Sequence, residues 1–124
     1  MVDECLRQGR RMRLVKIRLF RPFPFDAVRA AVAGARKIAV FDRNISFGHG
    51  GIMASEVRAA LHAAGTQDAG RHLRVNAAPV PLVSFVGGLG GHNVTLDTLR
   101  SVITYTLERD VPERGTLWVG LRER

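Results

Sequence analysis

The sequence has 124 residues, a formal net charge of +8 and an apolar content of 46%, which fits one globular domain with a core of its own. Its single cysteine, Cys5, excludes a disulfide framework and a cysteine-ligated metal cluster built within the chain. No apolar signal segment and no run of membrane-spanning length is present, so the sequence predicts a soluble domain of the reducing cytoplasm.

The positive charge comes almost entirely from arginine, since all but two of the 19 basic residues are Arg. These residues are scattered along the chain except between Arg7 and Arg21, and no aromatic residues interleave with them to stack bases. The charge therefore favours docking on acidic protein surfaces. Nucleic-acid binding remains the alternative.

The first third of the chain predicts a helix, a strand and a second helix. Residues 2–9 read as the end of a helix with Gly9 at its C′ position, so the sequence is expected to start inside an element. Apolar residues alternate over Met12–Phe20, which predicts a strand with Val15, Ile17 and Leu19 on one face. Prolines in Arg21–Pro24 end this strand, and the next helix is expected from Pro24 to Gly34.

The stretch Lys37–Gly51 is the predicted centre of the fold. Lys37–Phe41 is apolar without polar alternation, as expected of a central parallel strand buried on both faces. A polar, glycine-bearing loop follows, and a helix is predicted from Ile52 to Gly65. Working surfaces of open α/β sheets are loops at the carboxyl ends of strands, so Asp42–Gly51 is expected to begin such a surface.

The remaining chain repeats the alternation of strand and helix. Residues 66–78 predict a surface loop, Pro79–Val86 a strand and Gly87–Gly91 a tight turn. Thr95 is the predicted N-cap of a last helix, whose expected buried face consists of Leu96, Leu99, Ile103 and Leu107. The tail 110–124 contains a candidate edge strand, Thr116–Leu121. The sequence thus predicts an α/β domain with a mainly parallel sheet and helices on both faces.

No complete active site can be assembled from these elements. Gly48–Gly51 before a helix is typical of a phosphate cradle, but Met53 stands where a dinucleotide fingerprint needs glycine. A tight turn that packs against another domain or subunit is the favoured interpretation. Ser46 lacks a nucleophile elbow, and the histidines (His49, His62, His72 and His92) lack metal-ligand spacing. The sequence therefore predicts no catalytic, cofactor-binding or metal-binding residue.

Two arginines could still bind an anion. Arg21 and Arg43 each carry a guanidinium that can hold a phosphate or carboxylate bidentately. Pairing of Arg43 with Asp42, or with a neighbouring subunit, is the simpler interpretation.

Four ordered blocks of sequence resemble one known family. They are Lys16–Pro24, Val40–Gly48, Glu56–Leu61 and Val86–Gly91, and the resemblance extends roughly from the first helix to the last. In this order and spacing they closely resemble the C-terminal part of the alpha subunit of pyruvate:ferredoxin oxidoreductase and related 2-oxoacid:ferredoxin oxidoreductases. After the second glycine turn the family usually reads Arg-Asp-Ile/Val-Thr-Pro, whereas His92–Leu96 reads His-Asn-Val-Thr-Leu here.

The resemblance implies a fold similar to the C-terminal domain of transketolase. It also implies a parent enzyme that converts a 2-oxoacid and coenzyme A to acyl-coenzyme A, CO2 and reduced ferredoxin. Thiamine diphosphate, Mg2+ and iron–sulfur clusters would be held by other parts: the upstream alpha part, the beta and gamma subunits and a ferredoxin-like delta subunit. The sequence lacks a V-V-x-x-G-S-type strand that in the family precedes the first helix, and a separate upstream chain could supply it.

Residues 1–124 are therefore predicted to form one domain that serves assembly rather than chemistry. The loops after the strands would pack against the catalytic domains, and the predicted interface residues are Arg21, Phe23, Asp42, Arg43, Ser46, Phe47, Gly48, Gly88 and Gly90. Two alternatives from other classes stay open: a module that binds an anionic small ligand such as coenzyme A or phosphate, and a basic nucleic-acid-binding domain.

Overall fold

A computed structural model describes residues 2–63, 80–110 and 115–120 of the chain. It contains four helices and three strands in these ranges: α1 (Val2–Arg7), α2 (Phe25–Val32), β1 (Ile38–Asp42), α3 (Ile52–Ala63), β2 (Leu82–Gly87), α4 (Leu96–Glu108) and β3 (Thr116–Val119). A single turn of 3-10 helix, Leu89–Gly91, connects β2 to α4. The predicted loop 66–78 and parts of the tail 110–124 lie outside the described residues.

The three strands form a parallel sheet in the order β1-β2-β3. All residues of β2 are buried, because this strand has a neighbour on each side and helices above and below it. This arrangement confirms the predicted α/β class with a parallel sheet. The predicted edge strand in the tail is β3, which begins at Thr116.

Helices cover both faces of the sheet and create two apolar cores. One core lies between the sheet and helices α2 and α3, and its buried residues are Phe23, Val28, Ile38, Ala54, Val57, Ala60 and Leu82. The other lies between the opposite face and α4, with Val83, Phe85 and Val102 at its centre. Helix α1 sits beside α4, where Arg100 Nη2 lies 3.5 Å from Glu4 Oε2.

The predicted central position of Lys37–Phe41 is wrong within the described sheet. The segment does form a strand, β1, over Ile38–Asp42. This strand lies at the edge of the described sheet, and its residue Ala39 is exposed. A strand's position depends on pairing with distant segments, which an apolar run does not reveal. The central strand is instead β2.

The strand predicted over Met12–Phe20 is absent from the structure. These residues run between α1 and α2 without ladder hydrogen bonds to any described strand, and most of them are exposed. Ile17 is the exception that packs against the first core. Alternating apolar residues favour a strand only when a neighbouring strand offers hydrogen-bond partners, and none of the described segments does so here.

The buried face of α4 differs from the predicted one. Leu96 and Leu107 are 59% and 43% exposed, whereas Val102 and Thr106 are buried. The hydroxyl of the buried Thr106 keeps a hydrogen bond, because it donates to the Val102 carbonyl at 2.8 Å. The predicted N-cap is confirmed, since Thr95 Oγ1 accepts from the Thr98 N–H at 3.2 Å.

Phe85 should be a main contributor to the stability of the fold. Its side chain is 1% exposed and makes an edge-on contact with Tyr105, with ring centroids 5.9 Å apart. Phe85→Ala is expected to lower the free energy of unfolding by about 3–5 kcal/mol, as measured by urea denaturation, because it opens a cavity in the second core. Leu96→Ala, which trims an exposed side chain, should change it by less than about 0.5 kcal/mol. Equal effects of the two substitutions would contradict this account of the core.

Candidate functional site

The carboxyl ends of the three parallel strands lie at one edge of the sheet. Arg43 follows β1, Gly88 follows β2 and Gly120 follows β3. A shallow groove at this edge is lined by residues of β2 and β3 and of the turn after β2: Val86, Gly87, Gly88, Leu89, His92, Trp118, Val119 and Gly120. The loop 43–51 also follows the carboxyl end of a strand, β1, and its use as a working surface stays a prediction.

Asp42 occupies the N-terminus of helix α3. Its carboxylate is 2% exposed, and its two oxygens accept from the Met53 and Ala54 backbone N–H groups, each at 3.0 Å. Asn44 Oδ1 accepts from the Ile52 N–H at 3.2 Å. The first N–H groups of a helix and its dipole attract an anion, and here the chain's own carboxylate takes that position.

This geometry argues against a phosphate cradle at Gly48–Gly51. A Cβ on Gly51 would lie 2.1 Å from Asp42 Oδ2, so the glycine is required for the carboxylate to reach the helix. The N–H groups that would hold a phosphate already have an acceptor. Arg43 does not pair with Asp42, as one interpretation of the sequence proposed, because Asp42 faces α3. The Arg43 guanidinium instead lies near Gly88, with Nη2 3.5 Å from its carbonyl oxygen.

The loop folds into a closed turn that packs on β3. The Ser46 N–H donates to the Gly50 carbonyl at 2.8 Å, and the Gly50 N–H donates back to the Ser46 carbonyl at 3.1 Å. Gly50 lies against Thr116, whose Oγ1 would be only 2.2 Å from a Cβ at this position. Thr116 in turn forms a hydroxyl pair with the fully buried Ser84 at 3.2 Å. The turn is therefore fixed both by its own hydrogen bonds and by the sheet.

Phe47 stands at the tip of this turn and is 94% exposed, the highest value among the large apolar residues of the described chain. Trp118 lies two residues after Thr116 on β3, so the two side chains face the same side of the sheet. Trp118 is 45% exposed. Phe47 and Trp118 are thus two aromatic side chains that the described chain leaves exposed at this part of the sheet.

The other predicted interface residues divide between this edge and the interior. Phe23 is 7% exposed and belongs to the first core, and Asp42 caps α3, so both side chains serve the fold. Arg21 is exposed, with Nη2 2.7 Å from Glu56 Oε1 and its guanidinium over the Phe20 ring. The turns hold the rest of the predicted set: Arg43, Ser46, Phe47, Gly48, Gly88 and Gly90. Their role as an interface stays a prediction.

Sequence reasoning missed Gly51, Thr116 and Trp118. The sequence predicts Gly51 only as part of a glycine-rich turn, and the Asp42 contact shows why it must be glycine. Thr116 and Trp118 lie far along the chain from the loop, and their place beside it follows from the pairing of β2 with β3. The only available signal was the aromatic residue near the end of a candidate strand.

The described residues do not fit two of the groups that the resemblance implies for a parent enzyme, a metal ion and an iron–sulfur cluster. No three His, Cys, Asp or Glu side chains within the described ranges are placed to hold a metal ion. An iron–sulfur cluster needs several thiolates, and the sequence has one cysteine, which is buried in α1. Binding of these groups by other parts of an enzyme remains a prediction. None of the helices in the described part has the length and apolar character needed to cross a bilayer.

Removal of the Asp42 carboxylate should destabilise the chain more than removal of any exposed cap. Asp42→Ala leaves one buried and one partly buried N–H group without acceptors, so we expect a loss of roughly 2 kcal/mol or more in the free energy of unfolding. Asn44→Ala removes one exposed hydrogen bond and should cost about 0.5–1 kcal/mol. Urea denaturation of both variants measures the difference, and a smaller loss for Asp42→Ala than for Asn44→Ala would refute the capping role.

Comparison with known proteins places the chain in a family. The family described as pyruvate:ferredoxin oxidoreductase core domain II matches residues 1–99. The pyruvate synthase subunit PorA of Methanothermobacter thermautotrophicus is 32% identical over 122 residues, which cover 98% of this chain and 27% of that protein. The alpha subunit of NADH-dependent phenylglyoxylate dehydrogenase from Aromatoleum evansii is 32% identical over 106 residues, 85% of this chain and 22% of its own length.

A further relative is the ketoisovalerate oxidoreductase subunit VorA of Pyrococcus furiosus, 29% identical over 125 residues, which cover 98% of this chain and 28% of that protein. No solved structure matches the chain significantly. The chain spans about a quarter of the length of these relatives. The matched family fits the transketolase C-terminal-like architecture predicted from the sequence, with its parallel sheet and helices on both faces. The chain therefore belongs to the pyruvate:ferredoxin oxidoreductase core domain II family.

Proposed function

We propose that this chain is an assembly domain of a 2-oxoacid:ferredoxin oxidoreductase. The parent enzyme would convert a 2-oxoacid such as pyruvate and coenzyme A to acyl-coenzyme A, CO2 and reduced ferredoxin in the cytoplasm. The relatives support this proposal by their names, as pyruvate synthase and ketoisovalerate oxidoreductase subunits. The observation that carries the assembly role is the exposed Phe47 ring on a turn that the chain itself holds closed.

The turn is suited to protein contact because little order has to be gained on binding. Its backbone hydrogen bonds and its contact with Thr116 fix the position of Phe47 before a partner arrives. Preorganisation of this kind reduces the entropic cost of association. Burial of an aromatic side chain removes on the order of 150–250 Å² of surface from water, which makes Phe47 an effective anchor.

Arg43 gives the same surface a charged component. The residue is exposed, and a guanidinium beside an aromatic anchor is common at the centres of interfaces. A partner that fits this surface offers an apolar pocket for Phe47 and a carboxylate or carbonyl group for Arg43. The proposed partners are the remaining alpha part and the beta, gamma and ferredoxin-like delta parts of the enzyme. These would hold thiamine diphosphate, Mg2+ and the iron–sulfur clusters, and contact coenzyme A and ferredoxin.

Phe47→Ala should weaken assembly without loss of stability. We expect the affinity of the chain for the remaining subunits, measured by titration, to fall about 10–30-fold, because an interface anchor is worth roughly 1.4–2 kcal/mol. Arg43→Ala should act in the same direction. The thermal midpoint of Phe47→Ala should not change, since the ring contacts no core residue.

Leu107→Ala is the matched control for this prediction. Leu107 is 43% exposed, and its carbonyl accepts from Lys37 at the opposite end of the sheet. Its substitution should leave the affinity unchanged. An equal loss of affinity for Leu107→Ala and Phe47→Ala would place the contact surface elsewhere.

The anionic-ligand alternative makes a different prediction. Because Asp42 already occupies the α3 N-terminus, calorimetric titration of the chain with coenzyme A is expected to show no measurable heat at ligand concentrations up to about 1 mM. Saturable heat that is lost in Arg43→Ala would support a coenzyme A site and overturn the assembly role.

A further inference from the structure

The shallow groove at the carboxyl edge of the sheet, formed by residues 86–89, His92 and residues 118–120, borders on the Arg43 guanidinium. We refer to it as the edge groove. We propose that the edge groove takes up one apolar side chain from the remaining part of the oxidoreductase, and that an acidic residue beside that side chain binds Arg43. This inference rests on the proposed function, because it specifies the chemistry of the partner segment.

The edge groove has the size of a side chain rather than of a cofactor. It encloses about 220 Å³ of space, whereas pockets that hold small molecules and cofactors usually measure roughly 300–1,000 Å³. Its lining is mainly apolar, and the side chains that make it so are those of Val86, Leu89, Trp118 and Val119. A single apolar side chain of another polypeptide is the occupant that fits this space and this lining.

Gly88 connects the edge groove to Arg43. It lines the groove, and its carbonyl oxygen lies 3.5 Å from Arg43 Nη2. A Cβ at this position would stand 3.0 Å from Arg43 Nε and 2.7 Å from Val94 Cγ2, so the absence of a side chain lets the arginine lie against the turn. The guanidinium therefore sits at the border of the groove.

Arg43 has no carboxylate partner among the described residues, whose ion pairs involve other basic groups. The adjacent Asp42 is engaged at the start of α3, where both its oxygens accept helix N–H groups. Asp97, in the first turn of α4, lies 2.9 Å from Arg100 Nη1. A guanidinium can bind a carboxylate through two parallel hydrogen bonds, so the charge at this edge matches a partner that supplies an acid.

The edge groove continues the surface on which Phe47 stands. Trp118 lines the groove, and it faces the same side of the sheet as Thr116, against which Gly50 of the turn packs. Protein interfaces of standard size bury about 800 Å² on each partner. A single partner can therefore cover the turn and the groove together.

The rest of the enzyme is a better source of the two groups than a second copy of the chain. Each copy carries a formal net charge of +8, and two copies that met at this edge would bring their positive charges together. This chain corresponds to 27% of the M. thermautotrophicus protein, so an assembled enzyme of this kind contains further polypeptide.

Zero-length coupling at position 43 tests the contact with a carboxylate. In Arg43→Lys, a water-soluble carbodiimide joins the lysine amine to a carboxylate that touches it, with formation of an amide and loss of water. We expect mass spectrometry of the treated oxidoreductase to find position 43 joined to an Asp or Glu of another part of the enzyme, with an apolar residue within about two positions of it. Arg36→Lys, at an exposed position before β1 at the opposite edge of the sheet, is the matched control and should not join to that acid.

Filling the edge groove tests the uptake of a side chain. His92 lines the groove and is exposed, so its replacement should not disturb the apolar cores. His92→Trp should lower the affinity for the remaining subunits about tenfold, because it blocks the burial of one apolar side chain. His62→Trp makes the same replacement at an exposed position in the last turn of α3, away from this edge, and should leave the affinity unchanged.

The outcomes separate the two proposals. If the chain enters the assembly but position 43 couples to no carboxylate, or His92→Trp binds as tightly as His62→Trp, the inferred contact is wrong and the assembly role stands. If the chain does not enter the assembly at all, both are overturned. Coupling of position 43 to an acid of a second copy would contradict the proposed source of the partner segment.

Discussion

The contact between the Asp42 carboxylate and the N-terminus of α3 determines the arrangement at the carboxyl edge of the sheet. A buried carboxylate is unfavourable unless its oxygens are hydrogen-bonded, and the helix N–H groups provide the required donors. The same contact fixes the direction in which α3 leaves the sheet. Loop 43–51 connects β1 to α3 between these fixed ends, and Gly50 in its turn packs against Thr116.

This contact also changes the meaning of the glycine-rich loop. Glycines ahead of a helix often serve to bring a backbone close to a phosphate, which made an anion site a reasonable hypothesis. Here the close approach is to a side chain of the same polypeptide. The Met53 and Ala54 N–H groups thereby have an acceptor within the chain, and the turn of the loop presents Phe47, the most exposed large apolar residue of the described chain. The assembly role proposed for that surface rests on membership in the oxidoreductase family and on relatives that are about four times as long as this chain.

The sequence was sufficient for those features that depend on neighbouring residues. Apolar runs identified β1 and β2, Thr95 marked the start of α4, and the strand–helix alternation gave the correct class. The sequence was insufficient where distant segments decide the outcome. Strand β1 and residues 12–20 have strand-like patterns, but whether each is central, at an edge or unpaired depends on which other strands are present. For the same reason, Asp42 could not be recognised as the cap of a helix that begins ten residues later.

The tight approach of Gly51 to Asp42 has a consequence for how this chain can change over evolutionary time. Any side chain at position 51 would displace the Asp42 carboxylate. The carboxylate can therefore stabilise the start of α3 only while position 51 is glycine. The two sites are therefore expected to be inherited as a pair, with strong non-additivity between substitutions at one and at the other. In a lineage that lost the Asp42 carboxylate, a larger residue could replace Gly51, and the loop could then change in length and in role.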